Sequence, residues 1–170
     1  MKRTLLALAV VLAPACGGGS DADPNLVLQD EASDEAWRAI VDAVDRELTV
    51  ESEPDSAHLT APADGAVLPA SPPFTFTWAL PAQRPGPRHG VDDGEFVWMH
   101  LEGGGLQPAI DVVSISTTSW TPDADLWARI AATTGPVSIT MTNAFMVDGI
   151  VMDGPFQSAM PTTTFTMQGT

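Results

Sequence analysis

The residues of this sequence that could do chemistry are few, and they lie apart from one another. Three histidines occur: His58, His89 and His100. His100 alternates with Phe96 and Trp98 in a run that is apolar on both faces. There it reads as a hydrogen-bonded core histidine, with metal ligand or general base as the other roles open to an imidazole. His89 follows Arg84 and Arg88 and precedes Asp92 and Asp93. This is the only locally basic stretch, suited to a sulfated or phosphorylated glycan, or else an exposed loop whose arginines pair with its own acids. Asp92, Asp93 and Glu95 are the calcium candidates, since Ca²⁺ takes six to eight oxygen ligands. Asp123 with Asp125, and Asp148 with Asp153, are further carboxylate groupings, each with a simpler task as helix cap or turn former. Two carboxylates can also hydrolyse a glycoside, but only at a separation that a sequence does not display. Of the five tryptophans, Trp37, Trp78, Trp98 and Trp127 fall on apolar periodic faces. Trp120, flanked by Ser119 and Thr121, is the one placed to stack on a sugar. There is no H-E-x-x-H, C-x-x-C, P-loop, G-x-S-x-G or S-x-x-K pattern. The expectation is no catalytic residue, no cofactor and no metal beyond the weak calcium candidates.

Charge narrows the partners. Seven Lys+Arg stand against 22 Asp+Glu in 170 residues, a formal net charge of −15. Polyanions repel such a chain, so nucleic acid is excluded as a partner. A single cysteine cannot form an internal disulfide. Gly periodicity, sustained heptads and apolar runs near ~20 residues are all missing, which excludes collagen, coiled coil and polytopic membrane protein.

That one cysteine has a context. Lys2 and Arg3 open the chain, residues 4–13 are apolar apart from Thr4, and Ala13, Pro14, Ala15 and Cys16 follow. A basic start, a short apolar run and small residues are the layout of an export signal. The stretch Leu12-Ala13-Pro14-Ala15-Cys16 resembles the lipobox of bacterial lipoproteins, in which cleavage falls between the small residue and the cysteine. The resemblance implies cleavage between Ala15 and Cys16, acylation of Cys16, and anchoring in the cell envelope. Gly17 after the cysteine, instead of Asp, favours the outer membrane. A plain secretory leader with Ala13-Pro14-Ala15 as cleavage site is the alternative. Residues 17–20 are Gly-Gly-Gly-Ser, a flexible tether. Two or more acyl chains, at roughly 0.8 kcal/mol per buried CH₂, make an anchor stable.

The elements that must hold these groups are legible by period. Trp37, Ile40, Val41, Val44 and Leu48 recur at helical spacing, with Asp30 or Ser33 as cap and Glu31, Asp34 and Glu35 at the positive end of the dipole. From residue 58 the period becomes two. Strands are expected over 74–80, 96–101, 112–116, 137–147, 150–152 and 162–167, with Asp148-Gly149 as a tight hairpin and Asp153-Gly154-Pro155 as another turn. A short helix capped by Thr121, with Pro122 at its first position, buries Leu126, Trp127, Ile130 and Ala131. Short strands at this spacing argue for a β-sandwich. The opening His58-Leu-Thr-Ala-Pro-Ala-Asp-Gly-Ala-Val-Leu-Pro, leading to Phe74-Thr-Phe-Thr-Trp78, resembles bacterial fibronectin type III-like and immunoglobulin-like domains. So does Ser119-Trp120-Thr121-Pro122 before a Gly-Pro and a long strand.

The expected organisation is a signal peptide over 1–15, a flexible tether over 16–30, an acidic amphipathic helix and linker over 31–57, and the domain over 58–170. The fold class expected is mostly β: an immunoglobulin/fibronectin III-like antiparallel β-sandwich with one N-terminal amphipathic helix and one short inter-strand helix. The function expected is a non-catalytic, lipid-anchored envelope protein in a structural or binding role, its partner an envelope protein or glycan. A carbohydrate-binding accessory or glycan hydrolase, and a calcium-dependent adhesion module, are the other readings.

Overall fold

A computed structural model describes residues 23, 25–30, 32–46, 49–51, 56–81, 93–115, 117–158, 160 and 162–169. The leader, Ala15 and Cys16, the Gly-rich tether, and Arg84, Arg88, His89 and Asp92 lie outside the described residues.

The organising element is β6 (Gly94–Gly103), whose sequence is apolar on both faces because both faces are covered for much of its length. It pairs antiparallel with β7 (Leu106–Ser114) on one side and along its whole length with β9 (Val137–Val147) on the other. The free side of β9 is shared. Its first half pairs with β11 (Thr162–Met167), its second with β10 (Ile150–Ser158). The strands β4 (Ala66–Leu68), parallel to β11, β1 (Leu26–Leu28), parallel to β7, and β2 (Thr49–Glu51), parallel to β10, complete an eight-stranded sheet. A second sheet holds β3 (His58–Ala61), β5 (Phe76–Ala79) and β8 (Ser119–Trp120) in the order β3-β5-β8. Two helices, α1 (Asp34–Arg46) and α2 (Ala124–Ala131), are seen among the described residues. The protein is thus mostly β, with two sheets and two helices, consistent with a β-sandwich.

Alternation along β6 and β9 sends side chains into two separate cores. Val97, Met99, Leu101, Val137, Ile139 and Met141 face the small sheet and α2, meeting Phe76, Trp78, Trp120, Trp127 and Phe165. Phe96, Ala144 and Met146 face the other way, toward Ala36 and Ile40 of α1. Each fully buried large side chain contributes roughly 1.5–3 kcal/mol.

Several expectations change on this view. Residues 26–28 and 49–51, expected as tether and linker, are strands at opposite ends of the path β1-β7-β6-β9-β10-β2. The helix between them crosses the sheet face. Its 13 residues span about 20 Å at 1.5 Å each, close to the ~24 Å of five inter-strand spacings. Of the two caps proposed for α1, Ser33 serves, its Oγ accepting from the Ala36 amide at 3.1 Å. Asp30 instead reaches β7's far end, accepting from the Thr117 amide at 3.0 Å and its hydroxyl at 2.7 Å. The cap of α2 is Asp123, accepting from the Leu126 amide at 2.8 Å, so the helix starts later than a Thr121 cap implies. Asp148-Gly149 does form the hairpin, both residues at positive φ. Asp153-Gly154-Pro155 does not turn the chain; it lies inside β10, where the register with β9 slips. Gly154 has φ +99, and a Cβ there would stand 3.2 Å from the Ala144 Cα, so the bulge requires glycine.

Candidate functional site

The face of the sheet that α1 crosses is apolar only as far as the helix reaches. Beyond Phe96 the same-face positions of β6 are Trp98, His100 and Glu102, and they meet polar neighbours. His100 lies opposite Asp111 on β7 and Thr140 on β9. Its Nδ1–H donates to Asp111 Oδ1 at 2.6 Å, and the same oxygen accepts from Trp98 Nε1 at 2.7 Å. The indole meets the imidazole edge-on, with centroids 5.9 Å apart. On the other side, Glu102 Oε2 lies 3.8 Å from His100 Nε2. Asp111 is held from behind as well, its amide bonded to the Asn25 carbonyl just before β1. Across β9 the polar strip continues: Thr140 Oγ1 contacts Thr162 Oγ1 at 3.3 Å, and Gln157 donates to Thr142 at 2.8 Å.

The imidazole's side chain is 29% exposed. Its pKa lies above the ordinary 6.5, first because Asp111 hydrogen-bonds it, then because the charges of Asp111 and Glu102 favour imidazolium; burial opposes them. Chemically this cluster holds a proton and fixes a ring. Among the described residues, the ring's inner nitrogen is held by Asp111 and its outer nitrogen faces Glu102. No group of three or more His, Cys, Asp or Glu among the described residues stands ready to hold a metal.

The other residues singled out from the sequence are dispersed. Trp120, the expected sugar platform, is buried at 4% exposure and stacks on Phe76 at 5.4 Å, so it belongs to the core. The cause is its cross-strand position: β8 places it opposite Phe76, on the inward face of the small sheet. Trp98 and Trp37 are the partly exposed tryptophans instead. Asp93 is buried and accepts from the Asp148 amide at 2.6 Å, closing the β9–β10 hairpin. Glu95 accepts from the buried Asn143 amide group, whose oxygen in turn accepts from the Ala57 amide at 2.8 Å. Two of the three calcium candidates, Asp93 and Glu95, thus have bonds within the fold, and the third, Asp92, lies outside the described residues. His58 lies at the start of β3, 3.4 Å from the Ser56 carbonyl, in the other sheet from His100.

Sequence reading missed Asp111, which only the β6–β7 register brings to His100. It also missed Asp64, whose carboxylate accepts from the Thr164 amide and hydroxyl at 2.8 Å, tying the β3–β4 turn to β11. Those bonds lower the Asp64 pKa below 3.8. Asp64-Gly65 has turn composition in the sequence, but the partner of Asp64, Thr164, lies a hundred residues on.

No protein family, curated protein or solved structure matches this chain. Among the described residues no helix is long and apolar enough to cross a membrane.

Proposed function

We propose that this chain is a non-catalytic lipoprotein of the cell envelope, held by acylated Cys16, presenting a fibronectin III-like module in a binding or structural role. The observation carrying the module is strand order. Strand β3 pairs β5, and β5 pairs β8, in one sheet; β7, β6, β9 and β11 are consecutive in the other. That order, three strands facing a sheet centred on β6 and β9, supports reading the two sheets as the halves of such a sandwich. The chain also switches sheets between β3 and β4, at the edge where the first strand of such domains divides. The non-catalytic part is carried over from the sequence, which holds none of the H-E-x-x-H, C-x-x-C, P-loop, G-x-S-x-G or S-x-x-K patterns. Fold alone implies no ligand.

Anchorage is supported by Ala15-Cys16 after an apolar run and by glycines beyond it. The chain joins the sheet at Leu26, level with Asp111 and His100. The hairpin tip at 148–149 lies beyond Gly94, six residues farther along β6, or about 20 Å. A tether entering at one level therefore leaves the hairpin at a distance, as a presented surface requires. Gly17 favours the outer membrane. Metabolic fatty-acid labelling of the wild type beside Cys16→Ser tests the anchor: label is expected in the first and absent in the second. Equal label in both, or none in either, removes the lipid from the function.

A further inference from the structure

The free side of β9 changes partner partway along. Strand β11 pairs with it as far as Thr140, opposite Thr162, and β10 pairs with it from Asn143 onward, opposite Phe156. A pocket of about 190 Å³ opens at this fork, and its lining includes His58, Asp64, Met141, Ser158, Met160 and Thr162. Two thioethers and an imidazole, from three distant parts of the chain, thus border one small space.

Ties within the fold bring these groups together. Met141 and Asn143 are alternate residues of β9 and share a face. Asn143 Oδ1 accepts from the Ala57 amide at 2.8 Å, which sets the next residue, His58, beside Met141. Farther along the same segment, Asp64 Oδ1 accepts from the Thr164 amide and hydroxyl, fastening it to β11. Thr162 stands opposite Thr140, which brings Met160, two residues before the one, near Met141, the residue after the other.

The ring of His58 is set as metal-bound imidazoles commonly are. Its Nδ1 lies 3.4 Å from the Ser56 carbonyl, which can only accept, so the proton sits on Nδ1 and the lone pair on Nε2. Met141 is 2% exposed and Met160 87%. One thioether therefore belongs to the floor of the pocket, the other to a flexible side chain at its mouth. Hard cations are poorly served: Asp64 Oδ1 already accepts twice from Thr164, and the other oxygen-bearing side chains of the lining are hydroxyls. Thioether sulfur with imidazole nitrogen is a donor set for a soft ion, Cu(I). With 22 Asp+Glu against seven Lys+Arg, the chain as a whole attracts cations.

We propose that this fork is a copper(I) site, with His58 Nε2 and the sulfurs of Met141 and Met160 as its three ligands. Met160 folds over the ion, and the Asp64 carboxylate in the lining offsets its charge. No electron is exchanged: the ion enters and stays monovalent. The site goes beyond the module's role in the envelope and does not depend on acylation of Cys16.

The test uses the full chain carrying Cys16→Ser, so that no thiol competes, with Cu(I) supplied anaerobically as its acetonitrile complex. With methionine labelled at the methyl carbon, two methyl signals are expected to shift and to saturate at one equivalent. Met141→Leu and Met160→Leu should each delete one of them. Competition with a chromophoric chelator should show binding at least tenfold weaker in His58→Gln and in Met160→Leu. Met152→Leu, exposed on β10, should leave it unchanged. Because Met160 is exposed, its variant keeps the site testable even if Met141→Leu unfolds the core. Unaltered affinity in either His58→Gln or Met160→Leu overturns the site, as does release of the copper by an equal concentration of Zn²⁺. If no methionine signal shifts in a chain that circular dichroism shows to be folded, the site is rejected while the anchor and the module stand.

Discussion

Val97, Met99 and Leu101 leave β6 toward one side; Phe96, Trp98 and His100 leave the same backbone toward the other. The first three share a continuous core with Phe76, Trp120, Trp127 and Phe165. The second three begin in a small core under α1 and end in a hydrogen-bonded polar strip. What differs is the cover. A second sheet and a helix can shield a strand over its whole length. A single helix about 10 Å wide, laid across the strands, shields only a few residues of each. Where cover stops, a side chain must be polar or satisfied by a neighbour, and His100, Asp111 and Trp98 satisfy one another. The difference teaches that composition along a strand follows the covering element and not the strand itself.

Truncation at the centre of each core should separate the faces most strongly. Phe76, in contact with the rings of Phe74, Trp120, Trp127 and Phe165, is expected to lose about 3–5 kcal/mol as Phe76→Ala, in a single cooperative urea transition. Ile40→Ala, under the helix, should cost about 2–4 kcal/mol. Its amide exchange should rise in α1, β1 and β2 while β9 stays protected. Equal loss of protection in β9 would make the two cores one unit and break the comparison.

A weaker effect should sharpen it through pH. The folded-state pKa of His100 is raised above 6.5, so the stability it contributes is fully present below 6.5 and is lost as pH rises through the higher folded value. Denaturation midpoints of wild type against His100→Gln should therefore diverge in mild acid and converge above neutrality. An NMR titration placing the ring below 6.5 would reverse the sign. Asp64 offers the opposite window: its pKa is lowered, so its contribution is present above 3.8 and fades as pH falls through the folded value. The smallest effect belongs to Ser33→Ala, which removes the α1 cap and should cost about 1 kcal/mol, seen as faster exchange in the first turn of the helix.

How much of this was readable beforehand varied with range. The face of α1, the strands β6 and β9 and the Asp148-Gly149 turn announce themselves, because period and turn chemistry act over a few residues. The strands β1 and β2 do not: three residues carry no period, and Leu26 pairs with Asp111 far along the chain. Asp153-Gly154-Pro155 has turn composition, yet glycine there serves a bulge against Ala144, a neighbour only pairing reveals. Trp120 looked open because its sequence neighbours are polar, whereas its spatial neighbour is Phe76. Of the polar cluster, His100 was visible as an odd residue in an apolar run, while Asp111 carried no signal of its own.

By itself the order of residues determined the acidic balance, the single cysteine behind an apolar run, the helix face and the alternation of the long strands. Each follows from chemistry between groups a few positions apart. Register, strand pairing and the reach of α1 across the sheet decided the rest: which carboxylate holds His100, which tryptophan is shut away, and which short segments join the sheet as β1 and β2. Those outcomes depend on contacts between distant segments, and only packing of the whole chain fixes which of them meet.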